Sequence, residues 1–279
     1  GIFYISSELV LEYWIFIYKP KTMFQDRIKY KGELKVLLKF VCDDYNFDDY
    51  LSHSVVELGY EDLNIVLQTT NGKYFVKVFA SFRTTEGVKR YIDMMFKVIA
   101  GDINHPKLYR SKQGYLSKYN IDSTEIDLCV MEFIDEGNLY QTRYELTEQD
   151  KRYLVSQAVK INKLVIQIPE VYDSWAVINI NKEFEKIKTK LDKADLALIE
   201  PVVSEFNKID LIKLQKSFVH GDLIKTNVIK SGSRIYIIDF SVANNYPRIQ
   251  ELAVLLCNIF FDENSTEISK ENYNLALDE

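Results

Sequence analysis

Cysteine is scarce and scattered. Cys42, Cys129 and Cys257 are the only three, with no Cys-x-x-Cys spacing and no even number to pair. That excludes a disulfide-built scaffold and points to reduced thiols in a cytoplasmic protein. Histidine is as thin, at three isolated positions, so a zinc site has no ligand pairs to start from. Basic residues are outnumbered, 35 against 41 acidic, for a net charge of −6. That balance argues against nucleic acid as the main partner, because backbone binding needs clustered Lys and Arg. A nucleotide, held by a few local groups, is not excluded. No long uncharged apolar run is present either. Residues 2–18 are apolar and aromatic but carry Glu8 and Glu12, which makes stable membrane insertion costly, and the stretch is short for a span. It also lacks the basic start and small-residue cleavage site of a secretory signal. Residues 1–22 are expected to be an extension outside the fold, the alternative being an amphipathic segment packed on it.

What is present is a globular pattern. The chain has 279 residues, 47% of them hydrophobic, enough to bury a sizeable core in one large domain or two lobes. No internal repeat or low-complexity tract interrupts it. Residues 31–42 read as a short helix with Leu34, Leu37, Leu38 and Val41 on one stripe. Two β-rich runs follow, 54–69 and 73–81, split by the hairpin signal Asn71-Gly72. Thr85–Ala100 returns to helical periodicity. A third β pair is expected at Gly114–Lys118 and 127–134. Thr147 with Asp150 then makes a capping box for a helix whose stripe runs from Leu154 to Ile168, stopped by Pro169. Charged amphipathic helices fill 180–215, interrupted near Pro201. A β-rich stretch with a turn at Ser231-Gly232-Ser233 precedes a final buried helix at Gln250–Phe261. Strands first and helices second is an α+β plan in two lobes: residues 23–135 and 136–279.

The segment His220-Gly-Asp-Leu-Ile-Lys-Thr-Asn227, followed by Ile237-Ile-Asp-Phe240, carries chemistry. Phosphoryl transfer needs a carboxylate to orient or deprotonate an acceptor hydroxyl, and oxygen ligands for Mg²⁺. Asp222 and Asn227 sit five positions apart in a short loop between apolar segments, and Asp239 follows twelve positions later across a hairpin turn. Any one of these would read as a turn or cap residue. In this order they assign Asp222 as catalytic base and Asn227 and Asp239 as Mg²⁺ ligands. Lys77 lies in a strand whose two faces are both apolar, where an ammonium wants an anion.

These motifs resemble those of the aminoglycoside phosphotransferase family, relatives of the protein kinases that include choline, homoserine and methylthioribose kinases. The family's His-Gly-Asp-x-x-x-x-Asn is matched by His220, Gly221, Asp222 and Asn227, and its Ile-Asp-Phe by Ile238, Asp239 and Phe240. Protein kinases carry His-Arg-Asp, Asp-Phe-Gly and Ala-Pro-Glu instead. Here Gly221 stands in place of the arginine, Ser241 in place of the glycine, and no Ala-Pro-Glu follows. The resemblance implies a two-lobed kinase-like fold, an antiparallel sheet plus helix followed by a mainly helical lobe. It implies ATP and Mg²⁺, with the γ-phosphoryl passing to a hydroxyl of a small molecule such as an amino alcohol, a sugar or an aminoglycoside. The alternative is a catalytically silent nucleotide-binding module.

By the same resemblance Lys77 holds the α- and β-phosphates, and backbone groups of Glu132 and Ile134 bond adenine. Asp93, sixteen residues after Lys77, is the expected helix partner of that lysine, with Glu86 as the alternative; the family uses Glu. Only Gly59 marks a glycine loop before Lys77. Residues 170–215 are expected to build the acceptor site, where Tyr172, Asp173 and Trp175 offer a setting for a cation. Glu251 is expected to brace the backbone of the catalytic loop.

Overall fold

The structure, a computed structural model, describes residues 24–56 and 61–278. The extension expected at residues 1–22 and Gly59 of the glycine-loop candidate lie outside the described residues. The chain divides into two compact units. Asn104–Glu136 joins the residues up to Ile99 in the first, and Ala100–Ile103 joins the residues from Gly137 onward in the second.

The first unit is a five-stranded antiparallel sheet, in the order β1-β2-β3-β5-β4, with a helix on each face. Its strands are β1 (Tyr50–Val56), β2 (Leu63–Thr69), β3 (Lys73–Val78), β4 (Ser117–Ile121) and β5 (Thr124–Glu132). Helix α1 (Leu34–Tyr45) lays Leu37, Leu38 and Val41 on the face formed by Ile65, Val76 and Leu128. Helix α2 (Thr85–Ala100) covers the other face, packing Val88, Tyr91 and Met95 with Cys129 and Met131. Side chains alternate along a strand, so Val76 and Val78 point to α1. Lys77, opposite Cys129 in the β3–β5 register, points to the α2 side. The run expected as one β stretch over 54–69 is instead parts of two strands, β1 and β2. The β4–β5 hairpin also sits a few residues off the expected positions. It turns at Asp122 and Ser123, both with positive φ (50° and 61°). Such a turn favours Gly or Asn, and neither is present to signal it.

The second unit is mainly helical. After the short α3 (Leu139–Thr142), α4 (Glu148–Lys163) begins at the expected capping box: Asp150 N–H donates to Thr147 Oγ1 (3.2 Å), and Thr147 N–H to Asp150 Oδ2 (3.1 Å). The helix stops at Lys163, six residues before Pro169. Leu164 is already extended and Val165 is 96% exposed, so the apolar stripe does not run on to Ile168. Helix α5 (Ile180–Ile187) is followed by α6 (Lys193–Phe206), which runs through Pro201 where an interruption is expected from sequence. Two small antiparallel pairs then flank the His220–Asn227 segment: β6 (Lys216–Val219) with β9 (Asn244–Pro247), and β7 (Val228–Ser231) with β8 (Arg234–Ile237). Helix α7 (Ile249–Asn258) is not the last one. Helix α8 (Thr266–Asp278) follows and packs on α4 and α7. No helix among the described residues is long and apolar enough to cross a membrane.

Proline within α6 lacks the N–H that would reach the carbonyl of Ala197, and its ring crowds that carbonyl. Pro201 is exposed, so Pro201→Ala fills no packed site. The substitution is expected to raise stability by roughly 1–3 kcal/mol in chemical denaturation. A lowered midpoint would show that the proline fits its helix without strain.

Candidate active site

Between β6 and β7 the chain crosses from His220 to Asn227. His220 is fully buried, and its ring ties two loops together. The N–H of Asp222 donates to Nδ1 (3.2 Å), so the ring proton sits on Nε2 and is donated to the carbonyl of Ile238 (3.0 Å). Burial pushes the imidazole down to about 4, and it is neutral at pH 7. A neutral ring is what this arrangement needs, because one nitrogen must accept while the other donates. The ring lies 4.3 Å from that of Phe240, centroid to centroid, so the Ile238-Asp239-Phe240 segment is held from the side as well.

The expected brace is present. Glu251, in the first turn of α7, is 1% exposed. Its Oε1 accepts the N–H of His220 (3.1 Å) and its Oε2 that of Gly221 (3.0 Å). Burial pushes the carboxyl up to about 7; the two N–H bonds pull against it, and the nearby charge of Asp222 adds to the rise. Consecutive N–H groups converge on one carboxylate because Gly221 takes φ +83°, a conformation that side chains disfavour. Asp239 is also left-handed, at φ +62°, and its Oδ1 accepts the N–H of Ser241 (3.3 Å). A non-glycine residue in this region is uncommon and held by its surroundings.

Asn227 closes the loop on Asp222. Its Nδ2 donates to the carbonyl of Asp222 (2.9 Å) and to its carboxylate Oδ2 (2.8 Å). The half-buried Asp222 carboxyl is pushed up to about 6, first by burial and then by the charge of Asp239, with the Asn227 bond opposing and Asp173 adding to the rise. Asp222, Asn227 and Asp239 are thus brought together. With Nδ2 spent on Asp222, Asn227 keeps its amide oxygen for another partner. That oxygen and the Asp239 carboxylate are hard donors of the kind Mg²⁺ prefers. Among the described residues no three His, Cys, Asp or Glu side chains cluster into a metal cage. A cation here would draw on these two side chains together with phosphate oxygens and water.

The segment before α5 is stapled close by. Asn244 Nδ2 donates to the carbonyl of Val171 (2.6 Å), and Tyr246 OH to the same oxygen (3.1 Å). Asp173 is buried and accepts the N–H of Trp175 (2.9 Å), which makes it a turn residue, while the rings of Tyr172 and Trp175 stay exposed.

In the first unit, Lys77 is 5% exposed, and its Nζ lies 3.2 Å from Asp62 Oδ2. The helix carboxylates expected for it lie elsewhere: Asp93 is on the exposed face of α2, and Glu86 is exposed in its first turn. From α2 it is the ring of Tyr91 that approaches, 5.3 Å from the ammonium. Glu132 ends β5 and is half-buried. Its N–H donates to the carbonyl of Lys107 (2.8 Å), and its Oε2 accepts the N–H of Lys107 (3.2 Å). Ile134 follows two residues on, also half-buried. Asp62 is the residue that sequence reasoning missed. A two-residue turn at Asn71-Gly72 would set Val66 opposite Lys77, but the register is shifted by two residues and sets Asn64 there, which makes Asp62, just before β2, the diagonal neighbour on the same face.

The profile of the phosphotransferase enzyme family (APH) matches residues 52–275, and the chain belongs to that family. No curated protein matches it. Among solved structures it is similar to the amicoumacin kinase hAmiN in complex with AMP-PNP, Ca²⁺ and Ami: 14% identity, TM-score 0.65, covering 92% of this chain and 79% of that one. It is similar to spectinomycin phosphotransferase bound to ADP and spectinomycin, at 14% identity and TM-score 0.63, over 88% and 80%. The choline kinase LicA from Streptococcus pneumoniae gives 14% identity and TM-score 0.59, over 88% and 80%. The fold is that of the kinase-like phosphotransferases, and these neighbours are kinases or phosphotransferases of small molecules.

Glu251→Gln keeps the shape of the brace but leaves one of the two N–H groups facing an amide donor. A loss of about 1–3 kcal/mol in stability is expected, together with faster hydrogen exchange at the amides of His220 and Gly221. Unchanged exchange at both amides would contradict the brace.

Proposed function

We propose that the chain transfers the γ-phosphoryl of ATP to a hydroxyl of a small molecule. The observation that carries this reading is the Asn227–Asp222 hydrogen bond (2.8 Å) beside Asp239, in a loop fixed by His220 and Glu251. The Asp222 carboxylate takes the proton of the acceptor hydroxyl as its oxygen bonds to the γ-phosphorus, and the bond to ADP breaks. Asn227, through its amide oxygen, and Asp239 would hold Mg²⁺, which when bound neutralises charge on the phosphate oxygens. Lys77 holds the α- and β-phosphates, and backbone groups of Glu132 and Ile134 hold adenine.

For the acceptor, an amino alcohol, a sugar or an aminoglycoside-like compound is proposed, recognised by residues 170–215. Choline and spectinomycin, named for two of the similar structures, are compounds of this size. The free thiols fit a cytoplasmic setting, where ATP is available.

Ligand that binds only the folded state stabilises it, by about 2.7 kcal/mol at a hundredfold excess over Kd. Mg-ATP is expected to raise the unfolding temperature of the wild type in a thermal-shift assay, and ATP with excess chelator to raise it less. In Asp239→Ala the Mg²⁺-dependent part of the shift should disappear. No response of the wild type to ATP or GTP with Mg²⁺ would overturn the reading.

A further inference from the structure

Lys77 sits on a β-sheet face, and a carboxylate can reach its ammonium either from the helix above or from the next strand. Helix α2 sends the ring of Tyr91, while Asp93 and Glu86 are exposed. The residue just before the neighbouring strand, Asp62, supplies the carboxylate. In the β2–β3 register Asn64 lies opposite Lys77. Asp62, two residues earlier, therefore shares the face of Lys77 as a diagonal neighbour, within reach of a long side chain. Its side chain is 2% exposed and that of Lys77 6%.

Asp62 is itself held by groups other than Lys77. Its Oδ1 accepts the N–H of Ala80 (3.0 Å) and Nε of Arg83 (2.7 Å), and its Oδ2 accepts Nη2 of Arg83 (3.0 Å). This two-pronged contact is the strongest orientation a carboxylate can be given. Arg83 is anchored in turn by Glu61 (2.6 Å), and Arg27 Nη1 donates to the backbone carbonyl of Asp62 (3.2 Å). Burial alone would raise the Asp62 carboxyl. The charges of Lys77 and Arg83 and the hydrogen bonds outweigh it and keep the group below the usual carboxylate range, so Asp62 is ionised at neutral pH.

We infer that Asp62 is the positioning residue of Lys77, so that the lysine proposed to grip the phosphates takes its direction from the residue that leads into strand β2, and from Arg83, rather than from a carboxylate of α2. The inference rests on the phosphate role proposed for Lys77. Arg83 already balances the charge of Asp62, so the negative field that Asp62 would turn on a phosphate is largely cancelled. What it contributes is the aim of the ammonium. In Asp62→Asn the amide can turn an N–H toward Lys77 and push the ammonium off its line, which weakens the grip.

Calorimetric titration with Mg²⁺ and AMP-PNP tests this without needing an acceptor. Asp62→Asn is expected to weaken binding about tenfold in the wild-type background, and less than about twofold when added to Lys77→Ala. Asp93→Asn should bind as the wild type does. Far-UV circular dichroism checks that each variant is folded. If Asp62→Asn does not fold, Asp62→Glu keeps the charge while moving it by one methylene, and should show the same dependence on Lys77 at a smaller size. Equal weakening with and without Lys77, or no weakening in either background, would overturn the inference. Should Lys77→Ala alone bind AMP-PNP as tightly as the wild type, the phosphate role of Lys77 fails instead.

Discussion

A carboxylate almost wholly shut away from water, that of Glu251, is the constraint on which the proposed chemistry depends. Burying a charge is expensive unless hydrogen bonds replace its hydration, and here the replacement comes from two consecutive backbone N–H groups. Those two donors converge only because Gly221 lies at positive φ. The carboxylate and the backbone turn therefore specify each other. Once the turn is set, the neutral ring of His220 spans from the N–H of Asp222 to the carbonyl of Ile238. The loop bearing Asp222 and the loop bearing Asp239 are fixed by one residue between them.

Charge is sorted between the two units. In the second, the charges of Asp239 and Asp173 both raise the cost of ionising Asp222. In the first, the cations Lys77, Arg83 and Arg27 gather on one buried aspartate. A chain with a net charge of −6 thus keeps a locally basic site in one unit and an acidic one in the other.

Much of this was legible in the sequence where local rules and tertiary structure agree. The Thr147–Asp150 box, the helix at Thr85–Ala100 and the brace by Glu251 are each fixed by short-range pattern or by motif. What escaped did so for physical reasons. The hairpin at Asp122-Ser123 uses left-handed residues without glycine, so it gives no turn signal. Pro201 costs its helix one hydrogen bond but does not end it, because the remaining turns carry the helix on. The apolar run at Leu164–Ile166 continues the helical stripe in sequence, yet Val165 points to solvent once the backbone extends. Asp62 was hidden because a cross-strand diagonal depends on register, whereas helix spacing points only to carboxylates of α2. Neither Asp93 nor Glu86 sits on the face of α2 that turns inward.

The central claim is that Asp222 takes the proton of a small-molecule hydroxyl as phosphoryl transfer proceeds. Its most direct test incubates ATP labelled in the γ-phosphoryl with Mg²⁺ and a panel of amino alcohols, sugars and aminoglycosides, comparing wild type with Asp222→Asn. The amide cannot accept the proton but leaves the loop's shape in place. The account predicts label on at least one acceptor with the wild type and a fall of at least about a hundredfold with the variant. Equal transfer by both proteins would contradict it.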